Sequence, residues 1–485
     1  MGTMRLVWAA LVSTLVLVAA GCGSESVGAG ESDGAELLKP GALVYADLDS
    51  DPESDQWKQV EELVLRFPDG EKWLAELKKE IETGSDITWE EAHETLGGDS
   101  AVAVYASSMT DAKVVGLLRP DDVDEALKLI ERINKEEPED PLVTRKVDDW
   151  IAVSDKEASI DVALKGEGGA ALSDDDAFQQ GMAELPDDAL GRVYVDVASA
   201  FKTFGRGPEG QALRMFGLDE LNFAGAWAKA LEDGAELAGV VQGEGADKLL
   251  GASDEYSSGL LDLVPADAFA FISFMGTGIG EQVGALRENP LYGSVFKEFE
   301  QETGVTVAEV LRLIEGEVAF YAAPGAPIPE LTLLVRPDDP AQARQSAERL
   351  LRALAAMAVG EVTEDGDVTT AVFDGFTVNL GTVEGTVMLT TKKEAIAARV
   401  GSSETLADTD RYKDALETAG VPDQYTGLAW VDLKETIDLI MGFASASGES
   451  VPPEVSRNLE PLRSLVAYGE KDGSLVKSLV FVGIE

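Results

Sequence analysis

Four groups of residues have types that could do chemistry, and spacing decides what each can do. The chain holds one cysteine, Cys22, and one histidine, His93. That scarcity excludes intrachain disulfides, Cys/His zinc sites and every Ser-His-Asp scheme that does not use His93. His93 lies in Thr88-Trp89-Glu90-Glu91-Ala92-His93-Glu94, a predicted helical stretch with Glu90 one turn back. A histidine among acids on such a helix reads as solvated, with no nucleophile or orienting acid marked for it. Asp47-Leu48-Asp49-Ser50-Asp51 alternates oxygens as a calcium loop does, but Pro52 stands at the sixth position and Lys58 at the twelfth. Those positions want Gly and a bidentate Glu, so the stretch reads instead as a strand end whose Asp and Ser residues cap the next helix. Arg119 and Arg336 end matching segments, Leu117-Leu118-Arg119-Pro120-Asp121-Asp122 and Leu334-Val335-Arg336-Pro337-Asp338-Asp339. Two related guanidiniums could clamp an acidic ligand. The structural alternative is a strand, a turn and a capped helix, with each Arg pairing a local carboxylate. Paired carboxylates could run glycosidase chemistry, but among 90 acidic residues no pair is singled out. No Gly-rich loop leads into Lys-Ser or Lys-Thr, so no P-loop is present. The expectation is a protein that is not an enzyme, with no catalytic residue, no metal site and no cofactor.

Cys22 has a context of its own. Arg5 precedes an apolar run, Leu6 to Ala20, and Val18-Ala19-Ala20-Gly21 leads into the cysteine. The run has the length of a signal h-region and is short for a membrane span. Small residues before a Cys resemble the lipobox of bacterial lipoproteins, with Ala19 where Leu is usual. The resemblance implies that residues 1–21 are a signal peptide, and that Cys22 becomes a diacylglycerol-modified N-terminus. The mature chain is then anchored to the membrane on its extracytoplasmic side and does not cross it. Residues 22–40, rich in Gly, Ser and acid, read as a flexible tether.

The rest of the 485 residues have ordinary globular composition, 45% hydrophobic, with a net charge of -51. That charge excludes nucleic acid as a general partner, and a protein partner would present a basic face.

The body is written twice. The Leu-x-Arg-Pro-Asp-Asp segment recurs at an offset of 217 residues. Lys156-Glu157-Ala158 then matches Lys393-Glu394-Ala395, and Tyr194-Val195-Asp196 matches Trp430-Val431-Asp432. Asp233-Gly234 matches Asp472-Gly473. The matches keep their order, so residues 41–243 and 262–485 read as two repeat domains joined by a linker over 244–261. Each opens with an apolar strand, 42–48 or 268–275, and a helical stretch follows. In the first repeat this stretch runs from Trp57 through Leu63, Trp73 and Leu77 to Ile81, with apolar residues at helical spacing. Asp148-Asp149, Asp365-Gly366, Asp374-Gly375 and Glu384-Gly385 read as hairpin turns. The expected fold is α+β: two tandem homologous repeats, each an antiparallel sheet of hairpins packed with helices.

Further features sharpen the resemblance: Asp47-Leu48-Asp49-Ser50-Asp51, the Gln56-Trp57-Lys58 helix, the turn Phe67 to Lys72 and the Val264 to Ala268 opening of the second half. With the lipobox, they resemble the bacterial "domain of unknown function" family numbered 3352, found on envelope proteins. The family brings no known activity or site. The expected role is a non-catalytic binding or scaffolding module of the cell envelope. A carboxylate-based envelope hydrolase and a carrier of a small or lipidic ligand are the alternatives.

Overall fold

The computed structural model describes residues 33–85, 88, 98–108, 110–136, 138, 141–205, 210, 214, 217–246, 254–278, 283, 293–326, 328–399, 404–448 and 451–485. The lone Cys22 and His93 lie outside them. Apolar runs become strands, in chain order β1 (Val44–Asp49), β2 (Asp99–Ala106), β3 (Ala112–Leu118), β4 (Val143–Val147), β5 (Trp150–Ser154), β6 (Gly191–Asp196), β7 (Leu221–Leu231), β8 (Gly234–Gly243), β9 (Ala270–Met275), β10 (Glu317–Ala323), β11 (Glu330–Arg336), β12 (Glu361–Asp365), β13 (Val368–Phe373), β14 (Phe376–Val383), β15 (Thr386–Thr390), β16 (Gly427–Asp432), β17 (Leu462–Asp472) and β18 (Leu475–Ile484).

The chain divides into two compact units, one of Met1–Ala246, Gly448–Leu462 and Asp472–Glu485, the other of Asp247–Ser447 and Arg463–Lys471. Strand order in the first is β4-β5-β3-β2-β1-β6-β7-β8-β18. In the second it is β12-β13-β14-β15-β11-β10-β9-β16-β17. These pairings are all antiparallel, and helices pack on the sheets, so the fold is α+β. Tight turns fall at the Asp-Gly and Glu-Gly pairs. Gly366, Gly375 and Gly385 all take positive φ, and so do Asp148 and Glu384. Hairpin turns of two residues require that hand.

In the first unit Tyr45, Phe178 and Tyr194 form an edge-to-face stack with centroids 5.2 Å apart at each step. Trp150, Trp227, Tyr105 and Phe223 join the same core, filled in by leucines and alanines. On the second face of this sheet, the helix Val123–Glu136 sets Ala126 and Ile130 on Leu118, Ile151 and Val153. In the second unit the helix Pro340–Met357 starts where Asp339 accepts hydrogen bonds from the amides of Ala341 and Gln342. Ala343, Ala347, Leu351 and Ala355 recur every four residues and lie against Ala371, Leu380 and Val387. The alanines let the helix approach the sheet closely. No helix among the described residues is long and apolar enough to cross a membrane.

Three expectations change. The helical stretch from Trp57 is two helices, Asp55–Leu65 and Gly70–Ser85, because Pro68 and the turn at Gly70 interrupt it. Leu63 is buried as its spacing suggests, but Trp73 and Leu77 are exposed. The 33–40 part of the stretch read as a tether belongs to the folded body: Asp33–Leu37 is a 3-10 helix, and Ala35 and Leu38 are fully buried. Likewise the end of the stretch read as a linker is packed, with Leu260 fully buried.

Gly98 has φ +95°, and a Cβ there would lie 2.5 Å from the Arg119 carbonyl oxygen. Gly98→Ala is expected to cost about 1–3 kcal/mol through strain and contact together. Gly168 has φ +70° with nothing within 4 Å of a Cβ, so Gly168→Ala meets the conformational penalty alone, about 1 kcal/mol. Urea unfolding of the two variants measures the gap, and equal losses would show that the Arg119 contact is not felt.

Candidate functional site

Glu317 opens β10 directly opposite Arg336 at the end of β11. Its carboxylate is 7% exposed in a chain where most acids are solvated. Burial obliges it to collect donors. Ser258 Oγ donates to Oε1 at 2.5 Å, and the Leu260 amide donates to the same oxygen at 3.1 Å. Oε2 accepts from the Gly259 amide at 3.2 Å and from Arg336 Nη1 at 3.4 Å. Arg336 Nη2 also donates to the Gly259 carbonyl at 2.8 Å. The network runs on through hydroxyls. Ser273 Oγ donates to Ser258 Oγ at 3.3 Å, and Tyr256 OH lies 2.7 Å from Ser273 Oγ. The Ser258 amide donates to Tyr425 OH at 3.3 Å, and the two tyrosine rings meet edge to face. Burial pushes the Tyr256 hydroxyl well above the usual phenol range and the Tyr425 hydroxyl up to about 12.

A serine hydroxyl beside a carboxylate is the first half of a nucleophile-and-base pair. Here the carboxylate oxygens are taken up by Arg336, two amides and the serine itself. What the arrangement does instead is fasten residues 256–260 onto the sheet.

Arg119, the other arginine of the predicted pair, lies in the first unit at the end of β3. Its Nε donates to Asp149 Oδ2 at 2.8 Å, its Nη1 is 3.5 Å from Asp99 Oδ2, and its guanidinium sits 5.7 Å over the Trp150 ring. Each arginine therefore meets a carboxylate at the start of the neighbouring strand, Asp99 or Glu317. The first pair is solvated and the second is half-buried.

Asp47, first oxygen of the calcium-like stretch, pairs with Arg192. The two sit opposite each other on β1 and β6, with Nε to Oδ1 at 3.0 Å and Nη2 to Oδ2 at 2.7 Å. Asp187 takes Nη1 at 2.8 Å. Burial works against the Arg192 charge, yet the Asp47 hydrogen bonds and both carboxylates hold its pKa above the ordinary value. Asp49 and Asp51 accept the amides of Asp51 and Glu53. The stretch is thus a run of side-chain-closed turns, while the next helix is capped by Ser54, outside it, and no cluster of metal-ligating side chains occurs among the described residues.

A cleft beside the Arg336 turn is lined by Glu309, Arg312, Leu313, Asp338, Asp339 and Ser346. A hydrolase would use carboxylates of this kind. Glu309 instead closes a capping box with Thr306, whose hydrogen bonds hold its pKa below the usual range, while Asp339 caps the next helix. A general acid needs the opposite shift.

Spacing located Arg119, Arg336 and the capping acids. It missed Glu317, Tyr256 and Ser273, whose partners come from distant parts of the chain. A buried signal was present only as an acid, Glu317, at the head of an apolar run.

No family model matches the chain, and no curated protein matches it. Among solved structures, three crystal forms of TP0453 are similar in part. Form IV has 12% identity and a TM-score of 0.25, over 45% of this chain and 78% of that one. Form III has 12% identity and a TM-score of 0.25, over 48% and 80%. Form I has 11% identity and a TM-score of 0.25, over 46% and 79%.

Arg192→Ala removes the bidentate guanidinium from a partly buried Asp47, so a loss of about 3 kcal/mol is expected. Arg119→Ala removes a solvated pair and is expected to cost about 1 kcal/mol or less. Chemical denaturation reads both, and equal costs would contradict the burial argument. Glu236 offers a pH test. Burial raises its pKa, although Trp227 Nε1 donates to it at 2.7 Å. A raised carboxyl pKa favours the folded state only at low pH, and the charged form penalises it as pH rises. Glu236→Gln is therefore expected to raise the melting temperature at pH 7, with the advantage gone below about pH 4. An advantage that grows on acidification would show the opposite shift.

Proposed function

We propose that this chain is a lipid-anchored, extracytoplasmic lipoprotein of the bacterial envelope, a member of the family numbered 3352, and a non-catalytic binding or scaffolding module. The observation that carries the binding reading is the helix Leu433–Ser447, which follows β16. It has no buried residue, and Ile440 and Phe443 are 58% and 43% exposed. Its charges, Lys434, Glu435 and Asp438, fall in its first half, and Leu439 to Ser447 carries none. A helix this apolar is ordinarily sunk in a core, and left in water it marks an interaction surface. The buried ionisable groups, in contrast, are committed to holding strands and loops together.

The module is also read as a duplication. Strand order β4-β5-β3-β2-β1-β6-β7 in the first unit has its counterpart in β14-β15-β11-β10-β9-β16-β17 of the second. Support comes from paired details. Tyr45 lies opposite Tyr194 as Phe271 lies opposite Trp430. Phe178 and Tyr412 stack edge to face on these residues. Gly98 and Gly316 pack against the Arg119 and Arg336 carbonyls. The anchor reading is supported by Cys22, the single thiol, placed after an apolar run and small residues.

Two measurements test this. Cys22→Ser is expected to move the protein from the membrane fraction to the medium, and equal release of wild type and variant would refute anchoring. A photo-crosslinker at Phe443 is expected to yield discrete adducts in living cells, with a solvated site such as Glu167 as control. Equal labelling at both positions would remove the binding reading.

A further inference from the structure

The second unit's sheet has a row of side chains in register that differs in kind from its counterpart in the first. It crosses β17, β16, β9, β10, β11 and β15 as Ala467, Ala429, Ile272, Phe320, Leu333 and Leu389. Register puts them on one face, opposite the buried Phe271, Tyr321 and Leu334. Ile272 is 42% exposed and Phe320 36%, and Leu331, one step along the same face of β11, is 41% exposed. The corresponding row of the first unit crosses β7, β6, β1, β2, β3 and β5 as Ala226, Val193, Ala46, Val102, Gly116 and Val153. There the side chains are small, and Ala226, Val193, Ala46 and Val153 are buried. The second unit thus carries larger apolar groups where it covers them less. Burial alone would select the reverse, because exposed Ile and Phe forgo the roughly 1.5–3 kcal/mol each that coverage supplies.

We infer that this strip on β9, β10 and β11 is a binding site for a hydrocarbon chain, that of a lipid or other long-chain amphiphile. Charge selects the occupant. In a chain of net charge -51, the flanking residues on this face of β9 and β10 are Ala270, Phe274, Val318 and Ala322, with no carboxylate to engage a basic peptide. A second copy would bring an equal negative charge to the same face. A hydrocarbon chain needs neither donors nor counter-charge. Leu389, at the β15 end, packs against the core under the helix Pro340–Met357, so the open part of the row crosses β17 to β11 and, at about 4.8 Å per spacing, runs roughly 19 Å, the scale of a long acyl chain. The inference rests on the binding-module reading and names its ligand class and place.

The test uses the purified chain bearing Cys22→Ser, so that its own lipid does not compete. Diphenylhexatriene is the fluorescent probe and monopalmitoylglycerol the competitor, with vesicle-free buffer throughout. Saturable binding near one probe per chain, reversed by the competitor, is expected. Ile272→Thr with Phe320→Thr is expected to weaken it by about tenfold or more, and Val102→Thr, at the counterpart row, to leave it unchanged. Leu331→Thr alone serves if the double variant does not fold, and it is expected to weaken binding in the same direction. Probe binding that does not saturate, or that the second-unit variants leave untouched, overturns the inference. So does a dimer in sedimentation that Phe320→Thr dissolves, since the strip would then be an interface between copies. If lipid binding fails while Phe443 crosslinks persist, the ligand class is wrong and the binding module stands. If both fail, the module reading falls with it.

Discussion

Glu317 poses the problem that the rest of this structure must solve. A carboxylate removed from water needs compensation, and a chain with 39 basic residues against 90 acidic ones has few cations to place. Its solution combines one arginine with main-chain amides and hydroxyls. The same economy recurs at Asp432, where Arg411 Nη1 donates at 2.7 Å, while its Nη2 holds the carbonyls of Ala266 and Ala268 and its guanidinium lies 5.2 Å over Trp430. Arg192 serves Asp47 and Asp187 together. The arginines are used as multi-point connectors between strands and the segments that enter and leave them, a role that lysine cannot fill because it lacks the planar fork.

This economy explains why so much surface charge coexists with ordered sheets. Amides at helix starts absorb a further share of the acids. Asp175, Asp196, Asp339 and Asp432 each accept from helix N-terminal amides, where the helix dipole favours a negative group. Acidic residues are therefore a structural material here, spent at turns and caps before any are left to face solvent.

What could be read from sequence follows from distance along the chain. The strands at 101–106 and 113–118, the helix from Val123, the Asp339-Pro340 cap and the glycine turns depend on neighbouring residues, and their pattern was legible. The mixed α+β class followed from them. The strap at Tyr256 was not legible, because its hydrogen-bond partner Tyr425 lies 167 residues from Ser258. Nor was the exposure of Trp73 and Leu77, since helical spacing shows that residues share a face and not whether anything covers it. The Arg119 and Arg336 positions were found from a repeated segment, yet their different degrees of burial depend on Asp99 and Glu317, which sequence alone does not rank.

The position of β18 has a consequence for how the protein is made. This strand, Leu475–Ile484, follows β17 in the chain, yet it pairs with β8 of the first unit across nine register positions from Leu475 opposite Gln242 to Gly483 opposite Gly234. The first unit's sheet is thus completed only by residues synthesised after all of β9 to β17. Until they arrive, β8 is an unpaired edge bearing Leu237 and Val241, the kind of edge that recruits other strands. A contact of such long sequence separation also closes slowly. A chain that emerges N-terminus first passes through an interval in which most of the molecule can be folded while one edge waits, and chaperone capture or mispairing during biogenesis would concentrate at that edge.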